Sequence, residues 1–268
     1  MLTLAVLCMT GCKKDNETRM TLRFTPYQMT TMKANSSVST ACTMLDVYII
    51  DAAESDTIAL HQNSTSADNF GEMSVTLQTT KTYQLMAIAH NFASPVALNG
   101  TVFAMPDEKV KQAMVANVSF TPADSLSLTV VMQRIVGMFK CRIADEIPST
   151  VNHFEFAFNA NTQWNAASNT GLNASDRINT ITGMNRGTDG YVTLNTYIIA
   201  DNLADTKYLD ITATAVDADG AAVETRQFSQ VPIKAGFITT YTGNFFITFD
   251  MGFTFVVSEW QELESQTF

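Results

Sequence analysis

In eleven separate runs along this chain, apolar residues recur at about every second position, and that period decides what the chain can fold into. The spacing falls at residues 20–24, 45–50, 73–77, 83–89, 126–132, 135–143, 153–158, 192–198, 209–215, 241–247 and 253–257, and 225–228 reads as the strand across a hairpin from 209–215. Side chains on a β-strand point to alternate faces, so a period of two marks a strand with one buried face. The runs are short and are separated by polar stretches rich in Ser, Thr, Asn and Gly. Residues 30–43, 54–71 and 162–190 read as long loops, and Asp217-Ala-Asp219-Gly220 reads as a hairpin turn between two strands. Helix is scarce: residues 106–114 form the best candidate, with Pro106 at its start and acidic residues in its first turn. Many short strands with polar turns predict an all-β chain built of antiparallel sandwiches. Their number suggests two in tandem, over residues 20–133 and 134–268, with a few short helical turns and no clear internal sequence repeat.

Composition narrows the partners. Only 16% of residues are charged and the net charge is −10, so the phosphates of a nucleic acid would be repelled. Aromatic content is 10%, with 17 Phe, enough for well-filled cores.

Residues 1–12 form a short apolar run ending Thr10-Gly11-Cys12. A membrane-spanning helix needs about 20 apolar residues, so the run is too short to span. A secretory signal fits it better. The small residues before Cys12 make it look like a bacterial lipoprotein signal. In such signals residues 1–11 are removed and Cys12 is acylated to become the new N-terminus; the alternative is an ordinary secretory signal with an incidental cysteine. Residues 12–19, with Lys13, Lys14, Asp15 and Glu17, read as a charged tether. They resemble the export signal of Bacteroidetes surface lipoproteins, although a plain solvated linker would look the same. Two acyl chains anchor a protein stably, whereas one does so marginally. Cys8 goes with the signal and Cys12 with the lipid, which leaves Cys42 and Cys141. Cys141 lies in phase with the apolar face of its run and reads as a buried free thiol, with a Cys42–Cys141 bridge as the alternative.

Four stretches together resemble the Bacteroidales fimbrillin superfamily, which comprises fimbrial stalk subunits and the related anchor and accessory lipoproteins. They are the signal with its tether, residues 83–91, residues 128–158 with Arg134 and the Pro148 turn, and residues 232–246. The resemblance implies two transthyretin-like Greek-key sandwiches, lipid anchoring at the outer face of the outer membrane, and joining of subunits by strand exchange. In stalk subunits of that family a trypsin-like protease removes the first strand, and a neighbour's strand fills the groove. Strand addition draws affinity from main-chain hydrogen bonds and register from side-chain pockets. Residues 30–43 hold Lys33 but no arginine, and Arg23 lies inside the first strand, so these two are the candidate processing positions. The absence of an arginine there favours an uncut anchor or accessory subunit over a stalk or tip subunit.

Signs of catalysis are few. His61, His90 and His153 lack the spacing of a metal site. No P-loop, nucleophile elbow or zincin motif occurs. The chain therefore reads as a non-enzyme without cofactor or metal. Trp164 lies among amides in the polar loop from Asn159 to Asn173. It reads either as an exposed aromatic that stacks on a sugar, the glycan contact of a stand-alone surface lipoprotein binding glycan or host protein, or as a plug in the end of a sandwich. Asp56-Thr57-Ile58 and Asp124-Ser125-Leu126 resemble short O-glycosylation acceptor triplets.

Overall fold

The computed structural model describes residues 16–27, 38–106, 109–122, 127–247 and 253–259. The chain is all-β, and its one helical element among these residues is a 3-10 turn at Val38–Thr40. Nine strands come from the first half: β1 (Glu17–Pro26), β2 (Met44–Asp51), β3 (Thr57–Asn63), β4 (Glu72–Gln78), β5 (Tyr83–His90), β6 (Leu98–Asn99), β7 (Val102–Ala104), β8 (Ala113–Phe120) and β9 (Ser127–Arg134). Ten follow: β10 (Val136–Ile143), β11 (Val151–Ala160), β12 (Gln163–Asn165), β13 (Thr170–Leu172), β14 (Ser175–Ile181), β15 (Val192–Ile199), β16 (Lys207–Asp217), β17 (Ala222–Ile233), β18 (Phe237–Gly243) and β19 (Thr254–Glu259).

In the first half one sheet runs β3-β2-β5-β8-β9-β1-β4. Only Met114↔Arg134 and Val115↔Gln133 join β8 to β9. The sheet turns over at this narrow seam, and its two limbs close on one core. Alternation sets which residues meet there: Met20, Leu22 and Phe24 from β1, Leu45, Val47 and Ile49 from β2, Met73, Val75 and Leu77 from β4, and Leu85, Ala87 and Ala89 from β5. In the second half β15-β10-β18-β19 packs on β14-β11-β16-β17. That core is aromatic, with Phe139 5.2 Å from Phe228 and Phe154 5.1 Å from Phe245, both edge-on.

The two halves share one topology. β1 pairs antiparallel with β4 and parallel with β9, while β10 pairs antiparallel with β15 and parallel with β18. The facing limbs correspond in the same way, β3-β2-β5-β8 with β14-β11-β16-β17. Among the described residues the last strand, β19, has no counterpart in the first half.

A third core joins the halves. The small sheet β13-β12-β7-β6 pairs β7 from the first half with β12 from the second. Under it lie Met86, Ile88, Phe103, Val115, Ile135, Val136, Trp164 and Ile199. This explains why residues 85–89 are apolar without a break. Leu85, Ala87 and Ala89 face the first core while Met86 and Ile88 face the junction, as in any strand buried on both faces. Gly137, in β10, lies hard against the end of β17 and Lys234 just after it: an added Cβ would sit 2.7 Å from the Lys234 carbonyl oxygen.

Several expectations need correction. The described residues of 106–114 form no helix: residues 105–106 and 109–112 are irregular, and Ala113 and Met114 open β8. Ala113 and Val115 bury against the junction, Met114 and Ala116 against the first core, and that two-sided burial outweighs the N-terminal helix signals. The 54–71 segment contains β3, and the 162–190 segment contains β12, β13 and β14. The 241–247 run leaves the sheet at Gly243, after which the buried Asp145 carboxylate accepts hydrogen bonds from the Phe245, Phe246 and Ile247 amides. Cys42 and Cys141 are both buried and form no disulfide, and burial pushes the Cys141 thiol far above its ordinary pKa. Asp217 accepts from the Asp219 and Ala221 amides, closing the hairpin turn between β16 and β17.

Candidate subunit interface

β1 is the strand on which the fimbrial expectation turns. It lies inside its limb, held on one side by β4 over Glu17↔Gln78 to Arg23↔Glu72 and on the other by β9 over Thr21↔Ser127 to Pro26↔Met132. Met20, Leu22 and Phe24 are 4%, 0% and 1% exposed. The 10-residue strand therefore fills a groove whose floor is the first core and whose rims are the β4 and β9 backbones. Because β1 is flanked on both sides, its departure would leave two unpaired strand edges and an apolar slot, the substrate for strand addition.

Arg23, one of the two candidate processing positions, sits in the middle of this strand. Its side chain faces outward and Nε donates to Glu72 at 3.2 Å, an exposed pair that contributes little. Its backbone, however, is laddered to both neighbours, so a protease would have to draw the strand out before cutting. Lys33, Cys12 and the tether at 13–15 lie outside the described residues.

At the other end of the chain β19 extends the second sandwich beyond its facing sheet. It pairs with β18 over Phe237↔Glu259 to Thr242↔Thr254, and Tyr241 stacks on Phe255 at 5.3 Å. Yet Phe255, Val256 and Val257 are 56%, 64% and 44% exposed. Among the described residues β19 is an edge strand, with Phe255 and Val257 on one face and Val256 on the other, and its six residues include no proline or lysine of the kind that blunts edges. The sequence pattern placed these residues in a core strand; it did not show that no sheet of the described residues lies opposite them.

Trp164 is 0% exposed and pairs in register with Phe103 across the junction sheet. It has no face to offer a sugar, so a stacking glycan contact at this residue does not fit; it plugs the seam between the halves. Thr57, in the first acceptor triplet, is exposed at the start of β3, while the second triplet lies outside the described residues.

One polar cluster was missed. Asp46, 2% exposed, accepts from His61 Nδ1 at 2.7 Å, from His90 Nε2 at 2.9 Å and from the Val96 amide at 2.7 Å. The Phe92 amide donates to His90 Nδ1, which fixes the hydrogen on Nε2. The residues are far apart in sequence and meet only because the strand order is β3-β2-β5. Among the described residues no group of three or more His, Cys, Asp and Glu side chains is placed to hold a metal; this cluster pins the 91–97 segment over the sheet. Burial pushes the Asp46 carboxyl up, but the hydrogen bonds from His90, Val96 and His61 outweigh it and hold its pKa below the usual value. A depressed folded-state pKa stabilises the fold above the unfolded value of about 3.9, and that contribution is lost as pH falls below it. Asp46→Asn should therefore cost roughly 2–3 kcal/mol at neutral pH, because it leaves buried donors unmatched. In urea melts from pH 7 to pH 3 the gap between the two proteins should narrow at the acid end; a gap independent of pH would contradict the assignment.

No family model and no curated protein matches the chain. Solved structures do. A candidate polysaccharide-binding protein from Bacteroides thetaiotaomicron aligns over 92% of this chain and 99% of its own, with a TM-score of 0.56 at 13% identity. A candidate adhesin from the same species aligns over 90% and 96%, at 0.55 and 12%. A candidate cell adhesion protein from Bacteroides ovatus aligns over 92% and 99%, at 0.55 and 10%. The likeness is one of fold. It extends over both sandwiches and the junction, so the whole two-part architecture recurs in proteins that share about one residue in eight with this chain.

Proposed function

We propose that this chain is a lipid-anchored surface protein of the fimbrillin kind, an anchor or accessory subunit of a fimbrium that joins other subunits by β-strand addition and carries no catalytic role. The observation that carries the reading is the seating of β1: a strand near the N-terminus fills a central groove and keeps its candidate arginine inside the ladder. A subunit that retains this strand has no vacant groove to receive a neighbour, which suits the base of a polymer. A stalk or tip role would begin with the loss of that strand.

β19 supplies the other half of the reading. An exposed apolar edge has the two properties strand addition needs, main-chain groups on one side that no described strand pairs and alternate side chains free to enter pockets. The similar folds described as adhesins, cell adhesion proteins and a polysaccharide-binding protein fit a role at the cell surface, and outer-membrane attachment through Cys12 completes it.

Charge on the edge tests this. Val256 and Val257 are exposed, so Val256→Lys with Val257→Lys should leave the fold intact by circular dichroism. The reading expects the double variant to lose the fimbrial subunits that co-purify with the native chain from cells. Unchanged co-purification would contradict strand addition through β19.

A further inference from the structure

A second surface of the β15-β10-β18-β19 sheet stands apart from the strand edges. On β10 the core takes Phe139, Cys141 and Ile143, so Lys140 and Arg142 stand side by side on the opposite face. Two cross-strand rows run through them: Asn195–Lys140–Thr240–Val256 and Thr193–Arg142–Thr242–Thr254. Neither row contains a carboxylate. In a chain of net charge −10 this is a local inversion of sign.

The cations are held in different ways. The Arg142 guanidinium lies 4.1 Å from the centre of the Tyr191 ring, and its Nη2 donates to Asp189 at 2.7 Å. Asp189 is half exposed and takes the Tyr191 amide as well. The arginine is thus pre-set against an aromatic plane. Lys140 is half-buried and makes no ion pair among the described residues; burial and then the charge of Arg142 push its pKa down. Its cross-strand partner Asn195 has a buried Oδ1 without a hydrogen-bond partner. A destabilised ammonium beside an arginine is an arrangement that an anion would relieve.

We propose that this face binds an acidic saccharide, with Lys140 and Arg142 on a sugar carboxylate, Tyr191 beside the ring, and Thr240, Thr242 and Asn195 on neighbouring hydroxyls. Successive outward side chains on β10 are about 7 Å apart and adjacent strands about 5 Å apart, a grid on the scale of a sugar ring. Apart from the Asp189 carboxylate beside Arg142, the polar groups flanking the cations in the two rows are threonine hydroxyls and the Asn195 amide. Apolar exposure in the two rows is confined to Val256 at the margin, where a protein partner would need central aromatic or aliphatic anchors. The site is separate from Trp164 and from the β1 groove, and it stands whether or not the chain joins a fimbrium.

Isothermal titration of the folded chain with trigalacturonate, its methyl ester, sialyllactose and poly-glutamate tests it. Binding of trigalacturonate or sialyllactose is expected, falling with added salt, and the uncharged ester should bind about tenfold or more weakly. Lys140→Gln with Arg142→Gln should abolish the signal with the melting temperature unchanged, while Asp189→Asn, which removes the competing carboxylate, should tighten binding. The proposal is overturned if neither acidic sugar binds, if the ester or poly-glutamate binds equally well, or if the double variant keeps its affinity.

Discussion

Leu22→Asp should abolish the native fold of the first half. Leu22 is fully buried between the β9 and β4 backbones, with Met20 and Phe24 beside it in the same core. A carboxylate there meets no donor and no water, so the substitution must either bury an unpaired charge or expel β1. Either outcome costs more than about 5 kcal/mol, a large part of a domain's whole stability. The outward neighbour Arg23 is the control: Arg23→Ala removes only an exposed pair with Glu72 and should cost less than about 1 kcal/mol. Urea denaturation followed by circular dichroism separates the two. If Leu22→Asp behaves like Arg23→Ala, β1 is not a core strand and the groove does not exist.

The second large effect is expected at the seam. Trp164→Ala empties a fully buried site between β7 and β12, where Trp164 lies opposite Phe103. Loss of a large aromatic from a packed core costs about 3–5 kcal/mol. For a chain of this size that lowers the melting temperature by roughly 6–20 °C. The same core ties the halves together, so calorimetry should resolve two transitions in the variant where the native chain shows one. Trp164→Phe should be far milder, because the indole N–H it removes has no partner. A melting temperature of Trp164→Ala within about 2 °C of native would mean that the junction contributes little.

Strands with one wet face were legible in the sequence because burial writes a period of two: β1, β4 and β11 alternate as their residues do. β8 was hidden because both its faces are buried, so 113–120 carries no alternation and its start was absorbed into a helix pattern. β3 and β14 were hidden for the opposite reason. They are edge strands with mostly exposed side chains, and polar edge residues read as loop. The repeated topology left no sequence trace, since the first core is aliphatic and methionine-rich where the second is built on phenylalanine. Of the site residues, only the placement of Arg23 within a strand could be read in advance. The burial of Trp164, the overhang of β19 and the meeting of His61 and His90 on Asp46 depend on which strands are neighbours, and strand order is not a local property of the chain.

Retention of β1 and attachment through Cys12 are the two features on which the proposed role depends. Intact-mass and N-terminal peptide analysis of the form extracted from the cell surface, after growth on labelled palmitate, measures both at once. The account predicts label on an N-terminus at Cys12 and recovery of every peptide through β1. An unlabelled chain, or one that begins beyond Pro26, would contradict it.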